Sequence, residues 1–204
     1  MRMTGLGAQP MVVRRRAAVL LVEGFDRPRG WSSVEAATME VEHVIHRGFA
    51  IAALEDALLL GSIGGLPEYD RRVWELHPLV VRRDRRLRGV GQALVAAFED
   101  EAQRRGALTL TLGTDDDGGQ TLIAGVSLYR NVPRHIAELH DLGGSHPLLF
   151  SRRLGYVVTG IMPDANGPGR PDTSMSKPAR SERGIMQGDG VENEPRLASA
   201  DADG

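Results

Sequence analysis

Along the chain, apolar positions alternate between helical and strand-like spacing. Residues 13–24 place Ala17, Leu20 and Leu21 on one face of a helix. A second helix follows, with Ser32 and Glu35 spaced as a capping box, Val34, Ala37, Val41, Val44 and Ile45 as the apolar stripe and Gly48 as the stop. Residues 1–10 read as a short edge strand. Residues 49–54 and 58–63 are strand-like runs around Glu55-Asp56-Ala57, the pattern of a hairpin, and Gly64-Gly65 reads as the end of the second run. Residues 73–81 form a longer strand interrupted by Pro78. A proline there removes a ladder donor, so a bulge or a splayed edge is expected at that point.

The clearest helix spans residues 90–105. Val90, Leu94, Ala97 and Phe98 share one face, Asp100/Arg104 and Glu101/Arg105 are spaced as ion pairs on the other, and Gly106 is the stop. A short buried strand at 108–113 comes next, then a glycine-rich stretch with a weak helix near 134–139. A helix at 147–154 and strands at 156–162 and 172–177 complete the order. Helices interleaved with a three-strand meander and later strands predict an α/β domain with a mixed sheet over residues 1–177. From residue 178 to 204 the apolar density falls, and a disordered tail is expected.

Composition narrows the chemistry. The chain has 204 residues, 41% hydrophobic and 25% charged, with a formal net charge of -2. Such a balance suits one ordinary domain and speaks against nucleic acid or an anionic membrane as partner. Cysteine is absent, which excludes disulfides, thiolate catalysis and cysteine–metal sites. Arg14-Arg15-Arg16 interrupt the early apolar stretch, so a signal peptide is not expected, and no apolar run approaches the roughly 20 residues that span a bilayer. A cytoplasmic location is expected, and a homodimer is left open. His77, His135, His140 and His146 lack metal-ligand spacing, so no metal is expected.

The segment 80–105 carries the chemical signal. A strand ends at Val81, a loop at 82–88 holds five arginines and one aspartate, and Gly89 and Gly91 straddle the start of the long helix. Free N–H groups at a helix N-terminus attract anions, and glycine lets phosphate oxygens approach the backbone. Arginines nearby can pair with further phosphates. The plain alternative is a turn with arginines for solubility; the agreement of strand, spacing and helix favours the anion site. Its spacing is neither the Gly-x-Gly-x-x-Gly of dinucleotide folds nor a P-loop.

Arg86-x-x-Gly89-x-Gly91, preceded by Leu79-Val80-Val81, resembles the acetyl-CoA motif of the GCN5-related N-acetyltransferase (GNAT) superfamily. The resemblance covers roughly residues 14–177. Narrower blocks, Trp74-Glu75-Leu76-His77-Pro78, Leu112-Gly113-Thr114-Asp115-Asp116 and Met162-Pro163-Asp164-Ala165-Asn166-Gly167, are similar to aminoglycoside 6′-N-acetyltransferases. The resemblance implies a mostly antiparallel mixed sheet with a splayed central strand. It implies that Leu79, Val80 and Val81 pair with the pantetheine arm. The N–H groups of Leu87, Arg88, Gly89, Val90, Gly91 and Gln92 would hold the pyrophosphate, with Arg82, Arg86 or Arg88 on the phosphates.

The acceptor implied is a small primary amine, first the 6′-amine of an aminoglycoside, and an amine attacks a thioester only when neutral. A base is therefore useful at neutral pH. Glu75 on the central strand and Asp115 at the end of the next are the candidates, directly or through water; a structural ion pair and a turn cap are the plain alternatives. The family's usual tyrosine acid falls at Ser151, a much weaker acid, and Tyr129 is a possible substitute. Asp115, Asp116 and Asp117, with Glu68, Asp70, Asp164 and Asp172, are candidates for an acidic rim that attracts a polycation. Trp31, Trp74 and Tyr129 are candidates for lining the acceptor pocket. The expected activity is direct acetyl transfer without an acyl-enzyme. Another amine acceptor, or an acetyl-CoA-binding module without turnover, stands as the alternative.

Overall fold

A computed structural model describes residues 1–25, 30–116, 119–143 and 147–179. Seven strands form one sheet in the order β1-β2-β3-β4-β5-β7-β6. They are β1 (Arg2–Gly5), β2 (Phe49–Glu55), β3 (Leu58–Glu68), β4 (Val73–Val81), β5 (Thr109–Asp115), β6 (Val157–Met162) and β7 (Asp172–Pro178). Every neighbouring pair is antiparallel except β4 and β5. The helices are α1 (Met11–Gly24), α2 (Val34–Arg47), α3 (Val90–Arg104), α4 (Val132–Glu138) and α5 (Pro147–Arg153). None among the described residues is long and apolar enough to cross a membrane.

The sheet is buried on both faces, which explains the unbroken apolar run at the start of β2. Ala50, Ala52 and Leu54 point one way, into a core with Ala17, Leu21, Val41 and Val44 of α1 and α2. Phe49, Ile51 and Ala53 point the other way, toward Leu94, Val95 and Phe98 of α3. Trp74 lies in that second core, 1% exposed, with its indole N–H donating to the Arg71 carbonyl. It therefore packs the fold and does not line a pocket. Arg105 lies over the rings of Phe49 and Trp74 and pairs with Glu101.

Several expectations shift. The cap of α2 is Ser33, whose hydroxyl accepts from the Ala36 N–H, not Ser32; the helix starts one residue later than the capping-box spacing suggests. Arg104 pairs with Glu101 rather than Asp100, so one carboxylate serves both arginines. β3 does not stop at Gly64-Gly65 but runs on to Glu68. The reason is close packing: a Cβ on Gly64 would stand 2.2 Å from the His77 carbonyl oxygen, and one on Gly65 would stand 2.6 Å from the Phe49 ring. The domain also continues past residue 177. Pro178 ends β7, and the Ala179 N–H donates to the Leu108 carbonyl. The rest of the expected tail lies outside the described residues.

Pro78 acts as anticipated. The β3–β4 register steps from Ile63↔Leu79 to Gly65↔Leu76, leaving one extra residue on β4 at His77-Pro78, whose peptide is cis. On its other side β4 pairs with β5 at only three positions, Val73↔Thr109, Trp74↔Leu110 and Glu75↔Thr111. Beyond Glu75 the strands part: β4 stays with β3, and β5 with β7.

Because no side chain fits at the bulge, Gly64→Ala should cost about 1–3 kcal/mol of stability, the usual range for overpacking. Denaturant unfolding measures it, and an unchanged midpoint would contradict the tight contact.

Candidate functional site

The gap between β4 and β5 opens toward the loop that precedes α3. The Arg82 N–H donates to the Leu60 carbonyl at 2.9 Å. Backbone groups on a strand alternate sides, so those of Val80 also face β3, while those of Leu79 and Val81 face the gap. The Val80 side chain is buried in the α1/α2 core. Of the three strand residues named from sequence, Leu79 and Val81 thus present main chain to the gap.

At the mouth of the gap the chain passes through two left-handed residues, Leu87 (φ 59) and Gly89 (φ 82), before α3 begins. The N–H groups of Leu87, Arg88, Gly89, Val90, Gly91 and Gln92 have no backbone acceptor among the described residues; the first bonded one is Ala93, which donates to the Gly89 carbonyl at 3.0 Å. Six donors and the positive end of a helix dipole converge there. The arginines are divided. Arg82 pairs with Asp84, and Arg85 with Glu55, at 3.0 and 3.1 Å. Arg83 donates to the Glu23 carbonyl at 2.9 Å. The Arg86 Nε donates to the Val81 carbonyl at 3.2 Å, and its guanidinium lies 3.9 Å from where a Gly24 Cβ at the end of α1 would be. Arg88 is exposed beside the free N–H groups and is hydrogen-bonded to nothing among the described residues.

On α5, Ser151 points inward and is 3% exposed, whereas Phe150 is 37% exposed and stands against the first turn of α3. A Cβ on Gly91 would lie 3.5 Å from Phe150 Cζ and 3.7 Å from Val81 Cγ2. Nothing local in the sequence marks this contact of Phe150, because it depends on how α5 packs against α3.

Carboxylates on β4, β5 and β7 lie along the gap. Glu75 is the last β4 residue paired with β5. Burial raises its carboxyl above the ordinary value; His77 opposes this, while Glu68, Asp172 and Glu40 add to it. His77 in turn sits 3.4 Å from Glu40 of α2. Asp172, opposite Asp115 across β5 and β7, is also raised, first by burial and then by Asp115. Its carboxylate lies over Gly113, 3.1 Å from where a Cβ would be, and Oδ1 is buried without a hydrogen-bond partner. Asp115 is exposed and accepts from Asn166 Nδ2 at 2.5 Å.

Other rim candidates do different work. Asp116 is 2% exposed and turned inward, where it accepts from the N–H groups of Gln120 and Thr121 and from the Thr121 hydroxyl. Asp164 accepts from the Gly169 N–H and the Tyr129 hydroxyl, and that carboxylate raises the Tyr129 phenol. Glu68 and Asp70 are exposed, and Asp117 and His146 lie outside the described residues. Trp31 is half-buried and packs edge-on to Phe25, with centroids 5.2 Å apart. Among the described residues no group of three or more metal-ligating side chains comes together.

The acetyltransferase (GNAT) family model matches residues 20–124. An aminoglycoside 6′-N-acetyltransferase solved with coenzyme A is 33% identical, with a TM-score of 0.82 over 89% of this chain and 98% of that one. The aminoglycoside 6′-N-acetyltransferase from Enterococcus faecium is 32% identical, with a TM-score of 0.80 over 89% of this chain and 98% of that one. An aminoglycoside 6′-acetyltransferase type Ii is 30% identical, at 0.68 over 89% and 99%. No curated protein sequence matches the chain.

The two motif glycines should respond differently. Gly89→Ala forces a side chain into a left-handed conformation and should cost about 1–2 kcal/mol. Gly91→Ala meets only ordinary contacts and should leave the melting temperature nearly unchanged; equal effects in thermal melts would refute the distinction. For Asp172 the folded state holds its proton more tightly than the unfolded state. Its contribution to stability is therefore present below the unfolded value and lost as pH rises through the raised folded value. Asp172→Asn should melt a few degrees higher than wild type at neutral pH, with the gain vanishing in acid. A variant less stable at neutral pH would contradict this.

Proposed function

The chain belongs to the GNAT acetyltransferase family, and on that premise we propose that it acetylates the 6′-amine of an aminoglycoside, using acetyl-CoA. The observation that carries the cofactor half is the β4–β5 gap, with the unpartnered N–H groups of Leu87–Gln92 at its mouth. Those groups would hold the pyrophosphate, aided by Arg86 and Arg88. The Leu79 and Val81 main chain would pair with the pantetheine amides. Bound acetyl-CoA supplies the acetyl group in activated form.

The carboxylates support a cationic acceptor. Glu75 stands at the closed end of the gap and Asp115 further along β5, with Asp172 acting on the first and Asp115 on Asp172, and such repulsion among carboxylates favours a positive charge between them. The names of the 30–33% identical neighbours support the same class of acceptor. In the proposed step Glu75 takes the proton from the bound ammonium, directly or through water. Its raised carboxyl suits a base that must accept that proton near neutral pH. The amine nitrogen then bonds to the thioester carbon, the carbon–sulfur bond breaks, the sulfur leaves as thiolate, and the nitrogen gives its second proton to solvent water. Asp115 orients the acceptor. Ser151, buried and a weak acid, is assigned no more than support for α5, and the thiolate takes its proton from solvent.

Thiol release with kanamycin-like amines tests the proposal, against a panel of polyamines, amino-acid derivatives and peptides. Release with the aminoglycosides alone is expected. Release only with other amines would move the acceptor, and binding without release across the panel would leave a sensing module. Glu75→Gln should lower kcat by about a hundredfold or more, the scale of a general base. Ser151→Ala should fall well short of the roughly hundredfold loss that removal of a general acid brings; a loss of that size would restore the serine as the acid. Acetyl-CoA at about 100 times its Kd should stabilise the fold by about 2.7 kcal/mol, and an unmoved melting curve would overturn the cofactor assignment.

A further inference from the structure

Phe150 belongs to neither buried core and takes part in no aromatic pair among the described residues. Helix α5 buries Leu148 and Ser151, one turn apart, and so turns Phe150 away from the core. The ring comes to rest where α3 has no side chain, its edge 3.5 and 3.8 Å from the point a Gly91 Cβ would occupy, with Val81 Cγ2 3.7 Å from the same point. An aromatic ring thus bridges α5 and the first turn of α3 beside the open edge of β4. The contact sits at Gly91, itself one of the donors, and at Val81, while Glu75 stands further back along β4. An arm joining a pyrophosphate at the donors to a thioester near Glu75 has to pass the ring.

We propose that Phe150 is a positioning residue for the pantetheine arm, its ring forming the apolar wall that presses the arm's methyl and methylene groups against the exposed main chain of Leu79 and Val81. The proposal rests on the acetyl-CoA reading above. It separates two parts of one ligand: N–H groups and arginines hold the phosphates, while the ring holds the carbon chain. A wall of this kind costs little in stability when truncated, since the side chain is more than a third exposed. It acts on binding, not on bond making, because the ring carries no proton to give.

The test compares coenzyme A with adenosine 3′,5′-bisphosphate, which lacks the arm, on wild type, Phe150→Ala and Phe150→Leu. Phe150→Ala should bind coenzyme A about tenfold more weakly, the scale of losing a half-buried apolar side chain, and should bind the bisphosphate as wild type does. Phe150→Leu should recover most of the loss. In turnover, the KM for acetyl-CoA should rise by a similar factor with kcat little changed. An unchanged coenzyme A affinity in Phe150→Ala, or an equal loss for both ligands, would overturn the role of the ring while leaving the cofactor reading intact. Failure of wild type to bind coenzyme A would overturn both.

Discussion

The parallel ladder between β4 and β5 lasts for three residue pairs, and the site depends on its ending there. A longer ladder would close the gap and use the main-chain groups of Leu79 and Val81 for the sheet itself. The opening is possible because each strand is held from its outer side. β3 grips β4 through Ser62↔Val80 and its neighbours, and β7 follows β5 to Asp115. Both faces add support, with Val80 in one core and Trp74 and Leu110 in the other. Exposed backbone polar groups in a rigid frame are costly to leave unpaired, and here they line the open gap.

The same rigidity shapes the acid side. Glu75 stands at the last paired position, so its place is set by the sheet rather than by a loop. Asp172 is placed by the β5–β7 register and by the missing side chain of Gly113. Holding these carboxylates close together disfavours their charged forms and makes the protein somewhat less stable at neutral pH than neutral side chains would. A cationic ligand placed there would relieve that repulsion. Binding and stability are therefore linked at this end of the gap.

Local features were legible in the sequence. The stripe of α3, the stop at Gly106, the interruption at Pro78 and the Arg86–Gly91 turn all depend on residues a few positions apart. Where two local readings compete, register is easily missed, as with Ser32 and Ser33, or with Glu101 and Asp100 as partners of Arg104. Gly64-Gly65 looks like a terminator because a glycine's need for space and its need for turning leave the same mark in sequence. Packing across the chain leaves no mark at all. Asp116 and Asp115 are adjacent acids, yet only the first is drawn inward by Gln120 and Thr121. Ser151 and Phe150 are likewise neighbours with opposite fates, decided by the way α5 meets α3.

The division of the loop arginines has a consequence for how a ligand arrives. Asp84 and Glu55 sit against Arg82 and Arg85, so carboxylates offset part of the loop's positive charge. The field of exposed guanidiniums fades within a screening length of about 8–10 Å at physiological salt. A loop of five unopposed arginines would gather polyphosphates of every kind from further away and hold many of them unproductively. Offsetting part of that charge weakens the loop's pull on distant anions.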